Sequence, residues 1–342
     1  MRFNFVVSRS EVEIARLVRC YNDIETALSS TNIFSNGELC WCLQTYAQLA
    51  PRGILDVTCT NRLDPTAINL VHSDTLLRLR PDPRAFVVCI RADYPKREWA
   101  NFHIVQNRDQ LGRKVAYMPL WMQAGIKARK PDRHGVRTVA YFGELNRNLA
   151  GAVNDWRSMF APHGIDFEAR ENRRWHDMRE VDVLIGIRGF DRRPYSTKPP
   201  SKLLNAWHAR IPFIGGYDSA YRQVATPGHD YLVASSAGEV VAHVLRLAQD
   251  PDLYARLVTN GERKVQDYTF ERMAAKWEAL LQGDVALRFV EWQSSKLAPV
   301  TFAFGVAAGL SLHHVRYLGR RTLAATRSGI ARATAALPWA AG

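Results

Sequence analysis

The sequence predicts an α/β protein made of two doubly wound domains and a basic C-terminal helical tail. Three observations support this fold class. The chain has 342 residues, which suits two domains and an appendage. Apolar residues make up 47% of it, enough for sizeable cores. Short apolar runs alternate with helical patterns along most of the chain, which is typical of parallel sheets covered by helices. We place the domains at residues 1–130 and 136–283, and the tail at 284–342.

The first domain contains short apolar runs that we predict to be strands of a parallel sheet. These runs are "RFNFVV", "ILDVTCT", "AINLVHS", "AFVVCIRA" and "FHIVQN". A helix is predicted in "GELCWCLQTYAQLAP", which Pro51 and Gly53 end. Residues 126–135 are basic, contain Pro and Gly and have little apolar content. We therefore predict an interdomain linker there.

The second domain alternates more regularly between strand and helix patterns. The predicted strands are "VRTVAYFG", "IDFEA", "VDVLIGIR", "IPFIGG" and "DYLVAS". The predicted helices are "NLAGAVNDWRSMFAPHG", "PPSKLLNAWHAR", "AGEVVAHVLRLAQ", "PDLYARLVTNGERKVQDY" and "TFERMAAKWEALL". Pro199 and Pro200 suit a helix start, because the first turn leaves its N–H groups unpaired in any case. Ser235 or Ser236 suits the N-cap of the third helix.

The charge of the chain favours an anionic partner. The formal net charge is +13, and from Val285 onward seven Lys and Arg stand against one acid, Glu291, a net charge of +6. Acidic lipids, phosphorylated substrates and nucleic acid all fit such a balance, and so does a plain solvated basic surface. Nucleic acid is disfavoured, because no basic module interleaved with aromatic residues occurs. Apolar residues mixed with arginines in the tail suit an anionic membrane surface.

The remaining composition indicates a cytoplasmic protein, with peripheral contact to the inner face of the membrane as a further expectation. The N-terminus lacks a signal-peptide core, and the longest apolar run, Leu297–Leu312, falls short of a membrane span. The cysteine count is odd, which favours reduced thiols, and no second Cys/His pair stands at zinc spacing, so we predict no metal site. The cysteines are Cys20, Cys40, Cys42, Cys59 and Cys89.

Three loops of the second domain follow predicted strands, where open parallel sheets bind ligands. One runs from Gly143 to Arg147 and includes Asn146; its glycine permits close backbone approach, although plain turn chemistry explains it equally well. The third contains Gly215 and Gly216, which again fit either a ligand or an ordinary turn.

The second of these loops carries the strongest signal for an anion site. It runs from Arg188 to Ser201 and is long, polar and basic. Arg188 stands at the strand end, and Lys198, Ser201 and Lys202 surround the next helix start. Free N–H groups and positive charge together suit a diphosphate. The alternative is a solvated basic loop.

Several segments resemble GT-B glycosyltransferases of the group 1, family 4-like kind. The closest stretch runs from Thr197 to Met273. It includes "AWHARIPFIGG", "GHDYLV", "DPDLYARLVTNG" and "TFERM". "MPLW" and "VAYFGELNRN" are similar to the interdomain passage and first donor-domain strand of that group, and "NGELCWCLQTYAQL" to its acceptor-side loop, which would include Gly37. The resemblance covers about residues 1–283, and is close only from about residue 136.

The resemblance implies two Rossmann-like domains facing a cleft, with the acceptor on the first and a nucleotide-diphosphate sugar on the second. Retaining members often carry two glutamates eight positions apart, and by register Thr197 and Asn205 stand there. We include Asn205 among the donor-binding residues. The resemblance also implies a metal-independent, hexosyltransferase-type reaction without a cofactor other than the donor.

Catalytic residues are expected in the first domain. Inverting members need a general base of His or Asp/Glu type. His72 and Asp74 follow a predicted strand and would face the cleft, so we name them as candidates, with a structural histidine as the alternative. Arg91 and Asp93 follow the next strand and would reach the cleft too.

The sequence thus predicts a glycosyltransferase acting in polysaccharide or glycolipid assembly, with a sugar or lipid-linked acceptor. The alternative is a non-catalytic GT-B protein that binds a membrane or a protein partner. A sugar-nucleotide epimerase of the same fold would need a set of cleft carboxylates and histidines that the sequence does not assemble.

Overall fold

The computed structural model describes residues 1–24, 26, 36–171, 174–295, 302 and 304–307, apart from the side chain of Arg147. Within them the chain forms two parallel sheets. The first has the order β2-β1-β3-β4-β5-β6, so the strand order reverses beside β1. Its strands are β1 Arg2–Val6, β2 Asp56–Thr60, β3 Ile68–His72, β4 Phe86–Ile90, β5 Phe102–Val105 and β6 Val115–Tyr117. Five of these strands were predicted, and the short β6 was not.

The two faces of the first sheet are covered differently. One face packs against helices α1 Glu11–Asn22 and α2 Gln44–Leu49, with a π-helical turn, Leu39–Leu43, leading into α2. The other face is smaller and is covered mainly by loop residues such as Leu63, Leu79 and Trp99. The short helix α3, Ser73–Leu76, follows β3. Helix α1 was not predicted, although Ser10 caps it by accepting a hydrogen bond from the Glu13 N–H.

The second sheet has the order β11-β10-β9-β7-β8. Its strands are β7 Thr138–Phe142, β8 Asp166–Arg170, β9 Val183–Gly186, β10 Phe213–Gly215 and β11 Leu232–Val233. Alternate residues of β7 enter different cores, with Val139 and Tyr141 on one side and Ala140 and Phe142 on the other. Helices therefore cover both faces, as doubly wound sheets require. All five predicted strands are confirmed.

Helices surround the second sheet. They are α4 Leu145–Asn148, α5 Val153–Phe160, α6 Ser201–His208, α7 Ser219–Val224, α8 Ala237–Gln249 and α9 Pro251–Val265. Ser236 is the N-cap of α8, one of the two caps predicted. The single helix predicted after β7 is wrong: the chain forms α4 and α5 with a break between them. Gly151 adopts a φ of +77° in that break, a left-handed conformation that an α-helix excludes.

The last helices return to the first domain. Helix α10, Phe270–Leu280, and helix α11, Ala286–Ser294, are joined by a π-helical turn. Their apolar stripe, which includes Met273, Trp277 and Phe289, lies in the core of the first sheet. Arg52 of the first domain forms an ion pair with Glu278 at 2.6 Å between Nε and Oε1. Helices α10 and α11 therefore form one unit that extends across residue 283, the predicted boundary between the second domain and the tail. The same buried apolar stripe continues from α10 into α11.

Of the predicted tail, the structure describes helix α11 and helical residues 302 and 304–307. Its basic residues beyond α11 lie outside the described part of the chain. No helix within that described part is long and apolar enough to cross a membrane.

The predicted linker is fastened to the second domain. The Lys127 N–H donates to the His176 carbonyl at 2.7 Å, and the Arg129 N–H donates to the Ala209 carbonyl at 3.0 Å. The guanidinium groups of Arg129 and Arg133 both donate to Asp182, whose side chain is fully buried. Residues 127–133 are therefore attached to the second domain by backbone and side-chain hydrogen bonds and do not form a free linker.

Candidate functional site

A cavity of about 290 Å³ lies between the two domains, at the carboxyl edge of the second sheet. Residues after β7 and β9 and the start of α6 form one side of it, and the first domain and the passage between domains form the other. Its lining includes Cys40, Gln44, Asp93, Trp121, Gln123, Phe142, Gly143, Trp175, Met178, Leu184, Arg188, Lys198, Ser201, Lys202 and Asn205. This is the place where the strand ends and helix starts of an open α/β sheet bind ligands.

Arg188 is held at this edge by a buried ion pair. Its Nε donates to Asp218 Oδ1 at 2.7 Å, and the two side chains are 5% and 1% exposed. The same guanidinium donates to the amide oxygen of Asn148 in α4. Burial raises the pKa of Asp218, and the charge of Arg188 opposes that rise. The ion pair thus fixes the guanidinium at the end of β9, between α4 and the loop after β10.

Lys202 lies in the first turn of α6, above Gly143. Its Nζ is 5.0 Å from the centre of the Tyr141 ring, a cation–π contact. Burial and, to a smaller extent, the charge of Arg188 lower the pKa of Lys202 to about 7. An added Cβ at Gly143, whose φ is +149°, would stand 3.1 Å from Nζ. Because Gly143 has no side chain, the Lys202 ammonium group can lie against the backbone of Gly143.

Lys198 joins the two domains across the cavity. Its ammonium group forms an ion pair with Asp93, which follows β4. Gln106 donates to Asp93 Oδ1 at 2.5 Å and to the Thr197 carbonyl at 2.9 Å. The Asn107 amide donates to the Lys198 carbonyl at 3.1 Å. The first domain thus holds the end of the basic loop in place.

Two buried polar atoms beside Arg188 have no hydrogen-bond partner among the described residues. They are Asp218 Oδ2 and the Tyr221 hydroxyl. Buried polar atoms in native proteins are mostly paired with protein or water. Asp218 and Tyr221 do not line the cavity, so these two atoms belong to the packing behind Arg188.

The structure brings together about half of the predicted site. Among the predicted residues, those that line the cavity are Gly143, Arg188, Lys198, Ser201, Lys202 and Asn205. The Asn205 amide donates to Gln123 Oε1 at 2.9 Å, across the domain boundary. The lining does not include Gly37, His72, Asp74, Asn146, Gly215 or Gly216. Arg147 belongs to α4, and its side chain lies outside the described part of the structure.

His72 is buried behind Gly37. Its Nδ1 accepts a hydrogen bond from the Asp74 N–H at 3.3 Å, and an added Cβ at Gly37 would stand 2.6 Å from its Nε2. Burial lowers the pKa of His72 to about 4, so the ring is neutral at pH 7. The hydrogen bond at Nδ1 assigns the ring proton to Nε2. Asp74 is half-exposed and pairs with Arg78 at 2.8 Å.

Sequence reasoning missed Asp218 and the apolar wall of the cavity. Asp218 follows the glycine pair after β10, and β10 neighbours β9, which ends near Arg188. The available signal was that Asp218 follows β10 while Arg188 follows β9, the neighbouring strand, so that the two charges lie at adjacent strand ends. Trp175 and Met178 lie between β8 and β9, in a segment without a ligand-binding pattern, so no sequence signal pointed to them.

No protein-family model and no curated protein matches the chain. Solved structures do match in fold. Anabaena HepE in complex with UDP has a TM-score of 0.51 at 10% identity, covering 82% of this chain and 99% of that chain. Anabaena HepE in complex with UDP-glucose gives 0.50 at 10% identity, covering 82% and 98%. A variant of S. aureus TarM gives 0.47 at 8% identity, covering 70% and 59%.

The chain therefore spans under two thirds of the TarM length, but nearly all of HepE. The matched structures are GT-B glycosyltransferases. Two parallel sheets with intervening helices and a cleft between them confirm the predicted GT-B fold for the described residues.

Proposed function

We propose that the chain transfers a sugar from a nucleotide-diphosphate sugar to an acceptor hydroxyl, with the interdomain cavity as its donor site. One observation carries this proposal. Arg188, Lys198 and Lys202 converge on one part of a cavity that is otherwise lined largely by apolar side chains. A nucleotide-diphosphate sugar has the matching form, with two phosphates beside a flat base.

The cations suit the chemistry of sugar transfer. As the bond between sugar and diphosphate breaks, negative charge develops on the leaving phosphate, and preorganised cations stabilise it. Arg188 is fixed by Asp218, so little reorganisation is needed when the charge appears. We propose that these side chains, rather than a metal ion, carry that stabilisation.

The apolar part of the cavity suits the nucleoside. Trp121 and Trp175 bring aromatic rings to it, and Phe142, Met178 and Leu184 complete the wall. The amides of Gln123 and Asn205 also line the cavity and hydrogen-bond to each other, and a ribose needs hydrogen-bond partners of this kind. Ligand pockets typically combine such apolar walls with a few placed polar groups.

The biological setting belongs to the same proposal. We propose a hexosyl donor from the cytosol, and a sugar or lipid-linked acceptor in polysaccharide or glycolipid assembly. Leu287 and Val290 of α11 and Phe304 are exposed, and the charge of +6 from residue 285 onward would draw this end of the chain to an anionic membrane. The same features favour the second candidate, a non-catalytic protein that binds a membrane through this segment.

A binding screen separates the two candidates. A ligand that binds only the folded state raises the melting temperature, so UDP, GDP, ADP and CMP sugars can be compared directly. We expect one class to bind and to be turned over, and Lys202→Met and Arg188→Met to lose both. Arg193→Met is the matched control, because Arg193 lies in the same loop but pairs with Asp191 at the surface.

Failure of every sugar nucleotide to bind or turn over would overturn the proposed enzyme. Vesicle binding that is lost on removing residues 296–342 would then support the non-catalytic candidate.

A further inference from the structure

We propose that Asn107 is a positioning residue of the donor site, which sets the place of Lys198 relative to Arg188 through hydrogen bonds from the first domain to the second. The inference rests on the proposed function and adds to it a residue that does not line the cavity. It implies that the second domain completes its set of three cations only where the first domain is docked against it.

Two buried side-chain amides follow β5 and reach two successive carbonyls of the basic loop. Gln106 donates to the Thr197 carbonyl at 2.9 Å, and Asn107 donates to the Lys198 carbonyl at 3.1 Å. The two amide residues are 3% and 0% exposed. A buried polar group that loses its hydrogen-bond partner is unfavourable, so this pairing fixes the register of the loop against the first domain.

Asn107 is also attached to helix α7, which begins at Ser219. The Asn107 amide N–H group donates to Ser219 Oγ at 2.9 Å, and the Asn107 amide oxygen accepts from Gln223 Nε2 at 2.9 Å. The Ser219 N–H in turn donates to the carbonyl of Pro194, within the basic loop, at 2.7 Å. One buried side chain of the first domain therefore links the start of α7 to the end of the basic loop.

These attachments relate Lys198 to Arg188. Asp218, directly before Ser219, accepts from Arg188 Nε at 2.7 Å, which fixes the guanidinium. Asn107 holds Ser219 on one side and the Lys198 backbone on the other. The Lys198 ammonium group is carried on a flexible stem, so its reach toward a diphosphate depends on where that backbone lies. Small displacements of a binding group are costly, and Asn107 therefore acts on donor binding through Lys198.

Gln223 allows this positioning role to be separated from simple contact between the domains. Its amide oxygen accepts from the Arg108 N–H at 2.9 Å, and its Nε2 donates to Asn107 Oδ1 and Asp109 Oδ1 at 2.9 and 3.0 Å. These hydrogen bonds cross the domain boundary without reaching Lys198. Gln223→Ala is therefore the matched control, because it removes interdomain hydrogen bonds and leaves the donor to the Lys198 carbonyl in place.

The test measures the Kd by calorimetry for UDP, or for the nucleoside diphosphate of whichever donor the screen identifies. Asn107→Ser removes the amide that donates to Lys198 and keeps a side-chain oxygen, which can still cap the turn Arg108–Gln110. We expect its Kd to rise about ten- to a hundredfold, because Lys198 is displaced. Gln223→Ala should leave the Kd within about threefold of the unaltered chain, as substitutions remote from a binding group do.

A double-mutant cycle shows whether Asn107 acts through Lys198. Lys198→Met removes the ammonium group and leaves Arg188 and Lys202 in the cavity. In this background Asn107→Ser should change the Kd by less than about threefold, because the group that Asn107 positions is already absent. A residue that only stabilised the fold would weaken binding equally in both backgrounds.

Four results would overturn the assignment of Asn107 while the proposed function stands. They are an unchanged Kd in Asn107→Ser, an equal loss of affinity in Gln223→Ala, an equal effect of Asn107→Ser in both backgrounds, and loss of the folded state in Asn107→Ser. The last result would mean that the amide holds the fold rather than Lys198. Failure of the unaltered chain to bind any nucleoside diphosphate is a different outcome, which would overturn the proposed function and, with it, this inference.

Discussion

Raising the pH should weaken donor binding through a single side chain, Lys202. Burial and the neighbouring Arg188 lower its pKa to about 7 in the empty cavity. The ammonium form attracts a diphosphate and the neutral amine does not. A lysine with that pKa is about half charged at pH 7 and about 1% charged at pH 9, so affinity should fall by up to about fiftyfold between them, close to 1.4 kcal/mol for each full unit well above the pKa.

The direction of this pH effect follows from the linkage between proton binding at Lys202 and donor binding. A bound anion raises the pKa of Lys202 above its value in the empty cavity, so binding takes up a proton. The gain in affinity is fully present below the unliganded pKa, near 7, and is lost as the pH rises toward the pKa of the complex. A nucleotide sugar is the right ligand for this test, because its esterified phosphates do not titrate in this range.

Calorimetry in two buffers of different ionisation enthalpy measures both quantities. We expect proton uptake to approach one per donor near pH 8, together with the loss of affinity. Lys202→Arg should remove the pH dependence, because a guanidinium stays charged throughout. Constant affinity from pH 6 to pH 9 would refute this reasoning, as would an unchanged pH dependence in Lys202→Arg.

Three substitutions test the surrounding structure. Asp182→Ala should lower the free energy of unfolding by about 3–5 kcal/mol in urea titrations, because it leaves buried arginine charge without its partner. Gly261→Ala should cost about 1–3 kcal/mol by the same measurement, since its Cβ would stand 2.3 Å from Trp207 Cδ1; unchanged stability would contradict that packing. Gly143→Ala should reduce donor affinity about tenfold or more, because the added methyl meets Lys202 where the diphosphate is expected. It should also lower the melting temperature, because a φ of +149° is unfavourable for a residue with a Cβ.

The strands were predictable because each of them is a short run of apolar residues. "FVVCI" and "VLIG" are apolar throughout, and only a strand covered on both faces buries every residue of so short a run. The return of α10 and α11 to the first domain was not predictable. The stripe that contains Trp277 and Phe289 has helical spacing, and such a stripe fits any sheet face equally well.

The candidate site was predictable where one loop carries the signal. Arg188, Lys198 and Lys202 stand close together in sequence around a strand end and a helix start, so local rules bring them to one place. Asp93 and Asp218 act through pairing with residues 105 and 30 positions away. The first pair depends on how the two domains pack together, and the second on which strands are neighbours in the sheet. Neither can be predicted from a local sequence pattern.

The most direct test of the donor site is a crystal structure of the chain with UDP bound. We expect the diphosphate within hydrogen-bond distance of Lys202 Nζ and the Arg188 guanidinium, beside the backbone of Gly143, with the uracil ring against the apolar wall that includes Trp175. A nucleotide bound elsewhere on the chain, with this cavity unchanged, would contradict the account.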